Sequence, residues 1–290
     1  MRERRRVVVV GDLVTDVLAK VAGPIAAGTD TPATIRVGGG GQAANTAAWL
    51  ASRGVPVTLV AAVGDDSAGR ERVAELVAAG VDAAVRTVPG VPTGTLVVLT
   101  GGGERTMLAD RGAADRLQPA DVDAALARLP DTGHLHLSGY PLLGEGSRAA
   151  GRRALAAARE RGLSTSVDAA SVAPLRQVGP AAFLTWVRGV DLLFANADEA
   201  ALLSPAPAGT VLVVKQGAAG ARWLGERVYE VPGEPVPVVD PTGAGDAFAA
   251  GLLATWLAGG DPASALRDGV RLGARAVTTL GARPRPARDR

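Results

Sequence analysis

The alternation of two kinds of segment constrains the fold of this sequence more than any other feature. Short runs rich in β-branched residues alternate with alanine-rich amphipathic runs along most of the 290 residues. This alternation predicts an α/β fold with a largely parallel sheet. The predicted strands cover residues 7–10, 57–63, 134–137, 164–167, 192–195 and 211–215. The predicted helices cover about 42–52, 67–79, 119–128, 146–161, 174–188, 244–258 and 262–279.

Two segments interrupt this rhythm and predict a second, smaller sheet. Residues 16–37 have strand-like ends without a helical stripe, and residues 93–110 have the pattern of a hairpin with its turn at 101–103. We expect both to leave the main sheet and form a flap over its edge, where ligands bind in α/β folds. A further hairpin at 221–232 is interpreted as ordinary edge structure. Without an internal repeat or a long linker, we expect one domain over 1–290.

Composition excludes several function classes. The chain has no cysteine, which excludes disulfides, thiolate catalysis and Cys-ligated metals and fits a cytoplasmic protein. The net charge is +2, and runs of arginine occur only in segments 2–6 and 283–290, without interleaved aromatic residues. We therefore interpret both ends as solvated and expect no nucleic-acid partner. No apolar stretch reaches membrane-spanning length without a charge or a glycine-rich break, so we expect no membrane association.

Two familiar nucleotide motifs are missing, and the histidines do not form a motif. The sequence has no G-x-x-x-x-G-K-[ST] stretch, and GDLVTD rather than G-x-G-x-x-G follows the first strand. These absences exclude a P-loop enzyme and make an NAD-dependent dehydrogenase a poor alternative. The only histidines, His134 and His136, alternate along one strand with no third ligand in view, so we interpret them as structural.

A glycine run before the first helix indicates a site for a hydroxyl-rich ligand. Four glycines lead into the small residues of GGGGQAANTAAWLASRG (38–54), and glycine lets a backbone approach a ligand closely. Asn45 adds an amide that both donates and accepts hydrogen bonds. Asp12 and Asp16 follow the first strand and are placed to accept from hydroxyls. A flexible turn explains the glycines equally well, and a cap or turn role explains either aspartate.

The stretch PTGAGDAFAAG (241–251) is the most informative one for chemistry. The backbone N–H groups of Gly243, Ala244 and Gly245 at a helix start form a concave anion site. Asp246 is also explained as an acid at the positive end of a helix, but that role does not require the two glycines. An anion site beside a fixed carboxylate indicates phosphoryl transfer. The N–H groups would stabilise the moving phosphoryl group, and the carboxylate would take the proton of the attacking hydroxyl.

Two further strand ends carry polar residues that suit a nucleotide and its metal. Asn196 and Glu199 have N-x-x-E spacing on an opening helical turn, and such oxygens suit Mg²⁺ bound through waters. A helix cap with a first-turn acid is the alternative. VVKQGAAGA (213–221) ends a strand in a glycine turn that would border a nucleotide.

These stretches, in this order, resemble the ribokinase family of PfkB-type carbohydrate kinases over nearly the whole chain. DPTGAGDAFAAG (240–251) resembles the second signature of that family and GGGGQAANTAAWLASRG the first, while NADE, VVKQGAAG and AVTTLGA (276–282) match its magnesium motif, a nucleotide-binding strand end and an adenine-side segment. The resemblance implies a three-layer α/β/α fold with a mainly parallel sheet and a small β-sheet lid. It also implies ATP-dependent phosphorylation of a sugar hydroxyl.

The resemblance also implies a role for each matching residue. Asp246 corresponds to the catalytic base, and the turn Gly243, Ala244 and Gly245 to the anion hole. The residues that match the sugar site are Asp16, Gly40, Gly41 and Asn45. Those that match the ATP site are Lys215, Gln216, Gly217, Gly220, Val277 and Gly281. Asn196 and Glu199 match the motif that orders Mg²⁺, and Asp240 with the Thr242 carbonyl matches a site for a monovalent cation such as K⁺.

The resemblance leaves the acceptor open. A nucleoside kinase of the same family needs an aromatic wall, and two Tyr, three Phe and four Trp make one hard to build. This favours a free sugar. A non-catalytic sensor is the other alternative, although such a protein is expected to lack Asp246. Specificity would depend on the lid side chains that point inward, for which we predict Thr34, Arg36, Leu96, Val98, Arg105 and Met107.

Three features qualify or extend the resemblance. Members often dimerise through the lid strands, so a homodimer is expected. The segment 200–210 is shorter than in most members, which puts the ATP contacts in doubt, and Asp168 lacks the usual following Pro-Asn, which leaves its role open.

Overall fold

Thirteen strands form two sheets in the computed structural model, which describes residues 5–101 and 104–284. In chain order the strands are β1 (Arg6–Val10), β2 (Val14–Val21), β3 (Ala33–Gly40), β4 (Val57–Gly64), β5 (Asp82–Val88), β6 (Thr93–Gly101), β7 (Glu104–Gly112), β8 (Thr132–Ser138), β9 (Ser164–Asp168), β10 (Leu192–Asn196), β11 (Val211–Lys215), β12 (Ala221–Leu224) and β13 (Val228–Val231). The helices are α1 (Gln42–Ser52), α2 (Ser67–Ala78), α3 (Pro119–Ala127), α4 (Tyr140–Leu143), α5 (Arg148–Glu160), α6 (Val172–Val178), α7 (Pro180–Trp186), α8 (Ala197–Leu203), α9 (Ala244–Trp256) and α10 (Pro262–Val277).

The large sheet is mainly parallel and is buried on both faces. Its strand order is β13-β12-β11-β10-β9-β8-β1-β4-β5, and the strands from β11 to β5 pair in parallel. Val7 and Val9 of β1 pack toward α1, α9 and α10, whereas Val8 and Val10 pack toward α3 and α5. A strand buried on both faces needs a continuous apolar run, which VVVV supplies. The predicted α/β fold in three layers is confirmed.

The small sheet contains both segments that interrupt the alternation. Its order is β3-β2-β6-β7, and the parallel pair of β2 with β6 joins the two segments. Leu96 and Val98 are buried on one face, while Ile35, Val37 and Leu108 are exposed on the other. We call this four-stranded sheet the lid.

The pairing register of the lid strands determines which of the residues predicted to point inward lie on the buried face of the lid. Leu96 and Val98 are buried as predicted, and Arg36 and Met107 share the row of Val98 but remain exposed. Thr34 has the same parity along β3 and is also exposed. The predicted turn at 102–103 and the side chain of Arg105 lie outside the described residues, as do the arginines at 2–4 and the tail beyond residue 284.

The sequence prediction is wrong over residues 174–188, and it misses the strand β5 and the four-residue helix α4. The predicted helix at 174–188 is two helices, α6 and α7, because Gly179 adopts a φ of 86° and Pro180 begins the second helix. β5 was not predicted, since DAAVRTV is a half-exposed edge strand without an apolar run. The hairpin at 221–232 does form the edge of the large sheet, as β12 and β13. Among the described helices, none has both the length and the apolar character needed to cross a membrane.

The two histidines lie inside the sheet and bond to serines. His134 contacts the hydroxyls of Ser164 and Ser166 at 2.9 and 2.8 Å, and His136 contacts Ser166 at 2.8 Å. Burial lowers the pKa of His134 to about 3 and that of His136 to about 4. Both rings are therefore neutral at physiological pH, which agrees with a structural role.

Candidate active site

Polar side chains gather where the parallel strands end and α9 begins. Asp168 and Lys215 end β9 and β11, and Asn196 ends β10. Asp246 lies in the first turn of α9. The carboxyl ends of parallel strands lie at one edge of a sheet, so the fold collects residues that are far apart in the sequence.

Asp246 is held by Asn45, so the two glycine-rich stretches of the sequence meet in one hydrogen bond. The amide Nδ2 of Asn45 donates to Oδ2 of Asp246 at 2.9 Å. Burial raises the pKa of Asp246 to about 7, the hydrogen bond from Asn45 opposes this, and the negative charge of Asp168 adds to it. A carboxyl group with this pKa changes its protonation state near neutral pH, which is the range in which a general base is most effective.

Gly243 begins α9 in a conformation that a side chain would not permit. It adopts a left-handed conformation with φ 78° as the N-cap of α9. A Cβ there would also lie 2.5 Å from the carbonyl oxygen of Ala282. The next residues, Ala244 to Asp246, belong to the first helical turn, whose N–H groups lack intrahelical acceptors. The Ala244 N–H donates to the Pro241 carbonyl in a long 3.3 Å contact. The turn Gly243–Ala244–Gly245, which we call the nest, thus presents the N–H groups of a helix start to an anion.

Lys215 lies beside the nest in an ion pair with Asp168. Its Nζ contacts Oδ2 of Asp168 at 2.5 Å, and a Cβ on Gly245 would lie 3.2 Å from the same nitrogen. Burial disfavours the ammonium, but the charges of Asp168 and Glu199 outweigh it, and the net result is a raised pKa for Lys215. The side chain is therefore a fixed positive charge at the start of α9.

Asn196 and Glu199 form a capping box at the start of α8. Oδ1 of Asn196 accepts from the Glu199 N–H at 2.9 Å, and Oε2 of Glu199 accepts from the Asn196 N–H at 2.8 Å. The alternative reading of N-x-x-E as a helix cap is thus realised. Burial and the charge of Asp168 raise the pKa of Glu199, whose carboxylate is almost fully buried. Each carboxylate oxygen still has a second lone pair for a metal-bound water.

Within residues 5–101 and 104–284, no group of three or more acidic, histidine or cysteine side chains forms a metal cage. This arrangement does not exclude Mg²⁺, because that ion usually keeps several waters and is held by one or two carboxylates together with substrate phosphates. Glu199 is a carboxylate of this kind, and its charge acts on Lys215 beside the nest. The residues present fit a water-mediated Mg²⁺ site.

Asp240 ties the nest to the turn after α10. Its Oδ1 accepts from the Thr242 N–H at 2.9 Å, and its Oδ2 accepts from the Gly281 N–H at 3.0 Å. The carbonyl of Val277 accepts from the Val239 and Asp240 N–H groups at 2.8 and 3.2 Å. Val277 and Gly281, which the sequence assigns to the nucleotide side, thus lie behind the nest. In the described part of the chain, the buried Thr242 hydroxyl has no hydrogen-bond partner.

The remaining predicted nucleotide residues, Gln216, Gly217 and Gly220, form a turn after β11. Gln216 donates its N–H to the Gly220 carbonyl at 2.8 Å, which closes the turn. Gly220 has φ 101°, and a Cβ there would overlap the backbone at Val231. Gln216 and Gly217 are exposed, whereas Lys215 points toward the nest and Asp168. The structure therefore separates Lys215 from the turn with which the sequence grouped it.

The predicted sugar residues lie together between α1 and the lid. The buried Asp16 carboxylate lies so close to Gly40 that a Cβ at that position would overlap it. A Cβ on Gly41, which has φ 99°, would lie 2.5 Å from the Asp12 carbonyl oxygen. Both glycines are therefore needed for the close approach of the lid to α1, and Asn45 is buried beside them.

Three residues at this site were not predicted from the sequence. Arg283 donates from Nε to Oδ1 of Asn45 at 3.2 Å and from Nη2 to the Gly40 carbonyl at 2.9 Å. Arg111, at the end of the lid, pairs with Asp12 at 3.0 Å and stacks 3.5 Å above the ring centre of Tyr140. Tyr140 follows β8 at the carboxyl edge of the sheet, a position that could have identified it.

Arg111 and Tyr140 line a small cavity together with Asp12. Its volume is about 170 Å³, and Ser147 and Pro174 also line it. Burial raises the pKa of the Tyr140 hydroxyl, the positive charge of Arg111 opposes this, and the charges of Asp12 and Asp246 add to it. The cavity therefore lies beside Asp12, at the end of the lid that carries Arg111.

A carboxylate beside a helical nest, at the carboxyl edge of an α/β sheet, is the arrangement of an enzyme that transfers a phosphoryl group to a hydroxyl. The chain belongs to the pfkB family of carbohydrate kinases, whose family model matches residues 4–288. The predicted family is thereby confirmed.

Individual relatives are carbohydrate kinases. The chain is 36% identical to an ATP-dependent ribose-1-phosphate kinase of Halopiger xanaduensis, covering 88% of this chain and 85% of the relative. It is 33% identical to a 2-dehydro-3-deoxygluconokinase of Thermoproteus tenax, covering 83% and 80%. Among solved structures, a ribokinase II-type protein from E. coli in complex with ATP and Mg²⁺ has a TM-score of 0.84, with 26% identity and coverage of 96% and 94%. The protein is an ATP-dependent kinase that phosphorylates a sugar or sugar-like substrate.

Proposed function

We propose that Asp246 is the general base of this kinase. The observation that carries the proposal is its carboxylate, with a pKa of about 7, fixed by Asn45 at the start of α9 beside the nest. The acceptor hydroxyl gives its proton to Asp246 while its oxygen bonds to the γ-phosphorus. The bond from that phosphorus to the bridging oxygen breaks, and ADP leaves with the electron pair.

The nest and the lid supply binding on either side of this base. The N–H groups of the nest stabilise the charge on the transferred phosphoryl group. Asp16 and Asn45 bind hydroxyls of the acceptor, and Gly40 and Gly41 allow the backbone to approach it. ATP binds toward the turn of Gln216, Gly217 and Gly220 and the end of α10 near Val277 and Gly281, with Lys215 at its phosphate end. The lid then covers the acceptor and excludes water.

Metal ions complete the phosphate side in this proposal. Glu199 and Asn196 hold Mg²⁺ through waters, and the ion when bound neutralises phosphate charge. Asp240 and the Thr242 carbonyl hold a monovalent cation such as K⁺, and the unpartnered Thr242 hydroxyl supports a polar ligand there.

The acceptor in this proposal is a small sugar or sugar derivative rather than a nucleoside. The named relatives act on ribose 1-phosphate and on a deoxygluconate, and the cavity beside Asp12 holds only about 170 Å³. A base would need an aromatic face to stack on. The aromatic ring in this cavity is that of Tyr140, and the Arg111 guanidinium already covers one face of it.

The outer face of the lid supports a homodimer. Ile35, Val37 and Leu108 are exposed by 62, 65 and 56%, and they lie on the same face across the sheet. An exposed apolar face of this kind on a small sheet favours association with a second copy. Light scattering of the protein against an Ile35→Lys variant tests this.

The assignment of Asp246 is tested by ADP release across a panel of sugars, sugar phosphates, sugar acids and nucleosides. Asp246→Asn should lower kcat by roughly 10²–10⁴-fold, the usual contribution of a general base, and leave ATP binding intact. Asp65→Asn, a change at an exposed acid paired with Arg70, is the matched control and should be neutral. Near-normal kcat for Asp246→Asn would overturn the assignment. A nucleoside as the best acceptor would overturn the substrate proposal alone.

A further inference from the structure

We propose that Lys215 is a catalytic residue that contacts the transferred phosphoryl group at the nest, and that Asp168 is its positioning residue. The proposal rests on the proposed function, since it needs the nest to hold that group. It gives a role to Asp168, for which the sequence indicated none. It also assigns Lys215 to the reacting phosphate instead of to nucleotide binding in general.

The first support is the position of the ammonium group. A Cβ on Gly245 would lie 3.2 Å from the Lys215 Nζ, so this nitrogen is in contact range of the first turn of α9. An anion that accepts N–H bonds of about 2.9 Å from the nest is then within reach of the ammonium as well. Because Gly245 has no side chain, no Cβ occupies the position between the helix start and the Lys215 Nζ.

The second support is the way Asp168 holds that position. Asp168 is 1% exposed and contacts the ammonium through Oδ2, while its Oδ1 accepts the Ala170 N–H at 3.1 Å. Ala170 has φ 72°, a conformation that is uncommon for alanine. Both oxygens of Asp168 are thus engaged, and the turn after β9 adopts a costly backbone conformation where the carboxylate is anchored.

Stability alone does not explain this largely buried pair. Buried ion pairs often contribute little net stability, because desolvation offsets the attraction. The chain also uses arginine almost throughout: Lys20 and Lys215 are the two lysines among 31 basic residues. Lysine gives a compact point charge with three donors, which fits the narrow space beside Gly245 better than a planar guanidinium.

Phosphoryl transfer to the acceptor needs no proton from Lys215. The acceptor oxygen bonds to the γ-phosphorus, the bond to the bridging oxygen breaks, ADP takes the electron pair, and Asp246 takes the hydroxyl proton. Lys215 keeps its three protons and donates hydrogen bonds to the phosphoryl oxygens as charge develops on them. In the structure this donor is engaged with Asp168, which keeps it aimed at the nest.

The test compares Lys215→Met, Lys215→Arg and Lys215→Ala with Lys20→Met, a change of the exposed lysine on β2. Removing one preorganised donor to a developing charge typically lowers kcat by about 10²–10³-fold. We expect this loss in Lys215→Met with an unchanged KM for the acceptor, and a smaller loss in Lys215→Arg. Lys215→Met should weaken binding of a non-hydrolysable ATP analogue while leaving ADP binding unchanged, because ADP lacks the γ-phosphate. Added methylammonium should raise the kcat of Lys215→Ala.

Asp168→Asn separates positioning from folding. It should lower kcat about tenfold in the native enzyme and cause no further loss in Lys215→Met, since residues that act as a unit are not additive. The proposal is overturned if Lys215→Met keeps kcat within about threefold of the native value while Asp246→Asn loses it. It is also overturned if ATP-analogue and ADP binding weaken equally. If Lys215→Met does not fold, the same binding comparison on Lys215→Arg decides. Normal turnover by Asp246→Asn would instead remove the proposed function.

Discussion

Acidification should remove activity through the proposed base Asp246. Burial raises the pKa of this carboxyl from 3.8 to about 7, so the proton is held until the pH passes 7. The ionised form is the active one, and kcat/KM reports the pKa of the free enzyme. At pH 6 roughly a tenth of the molecules carry the ionised group, so kcat/KM should fall about tenfold from its plateau near pH 8.5 and about tenfold more at pH 5.

The hydrogen bond from Asn45 allows a second, directional measurement. This 2.9 Å bond favours the ionised form of Asp246. A hydrogen bond to a charged group contributes about 1.5–3 kcal/mol, and one pKa unit corresponds to about 1.4 kcal/mol. Asn45→Ala should therefore move the acid limb of the profile upward by about one to two units.

Coupled ADP-release assays from pH 5 to pH 9 measure both profiles. Each pH needs saturating coupling enzymes and a circular dichroism spectrum, so that loss of folded protein is not mistaken for titration. If Asn45→Ala also binds the sugar less tightly, kcat/KM falls equally at every pH, and the pH at which the acid limb lies does not change. A native profile that stays flat down to pH 6, or an Asn45→Ala limb that moves toward acid, would refute the reasoning.

Three further predictions concern stability and the acceptor site. Asp246→Asn should raise Tm at pH 8 but not at pH 4. The raised pKa of the Asp246 carboxyl lowers the free energy of unfolding; this loss is absent below the unfolded pKa of 3.8, grows as the pH rises and is complete above about 7. An equal Tm change at both pH values would contradict this. Gly243→Ala should destabilise by more than about 1–2 kcal/mol in urea unfolding, since φ is 78° and the new Cβ meets the Ala282 carbonyl; an unchanged midpoint would contradict it. Arg283→Met should raise the acceptor KM roughly tenfold with little change in the ATP KM, because it frees the Asn45 amide; equal effects on both substrates would point to misfolding instead.

The sequence predicted the parallel strands well because their signal is local. A strand buried on both faces requires an uninterrupted apolar run, and segments such as VVVV of β1 and VLVVK of β11 supply it. β5 has no such run, since it lies at the sheet edge. The break between α6 and α7 was readable in principle, because Gly179 and Pro180 form a Gly-Pro pair inside the predicted helix.

The parts of the candidate site that lie in one continuous stretch could be predicted from the sequence, and the contacts that depend on topology could not. The nest and Asp246 are four consecutive residues with distinctive backbone demands. The ion pair of Asp168 with Lys215 joins residues 47 apart, and Arg283 reaches Asn45 across 238 positions. No spacing rule relates such residues. Their pairing follows from the strand order, in which β9 and β11 flank β10, and from the turn that brings the chain back after α10.

The charged groups near the nest shift the pKa values of one another. Asp168, Glu199 and Asp246 face a single ammonium, that of Lys215, so the acids outnumber the base. This surplus helps to raise the pKa of both Glu199 and Asp246 against the opposing charge of Lys215, and it keeps Lys215 protonated despite burial. A site of this kind disfavours a bare phosphate and favours one that arrives with a cation, which is the form in which ATP is bound by kinases. Under the proposed function, the charges that hold the pKa of Asp246 near 7 would also favour a nucleotide that binds together with its cation.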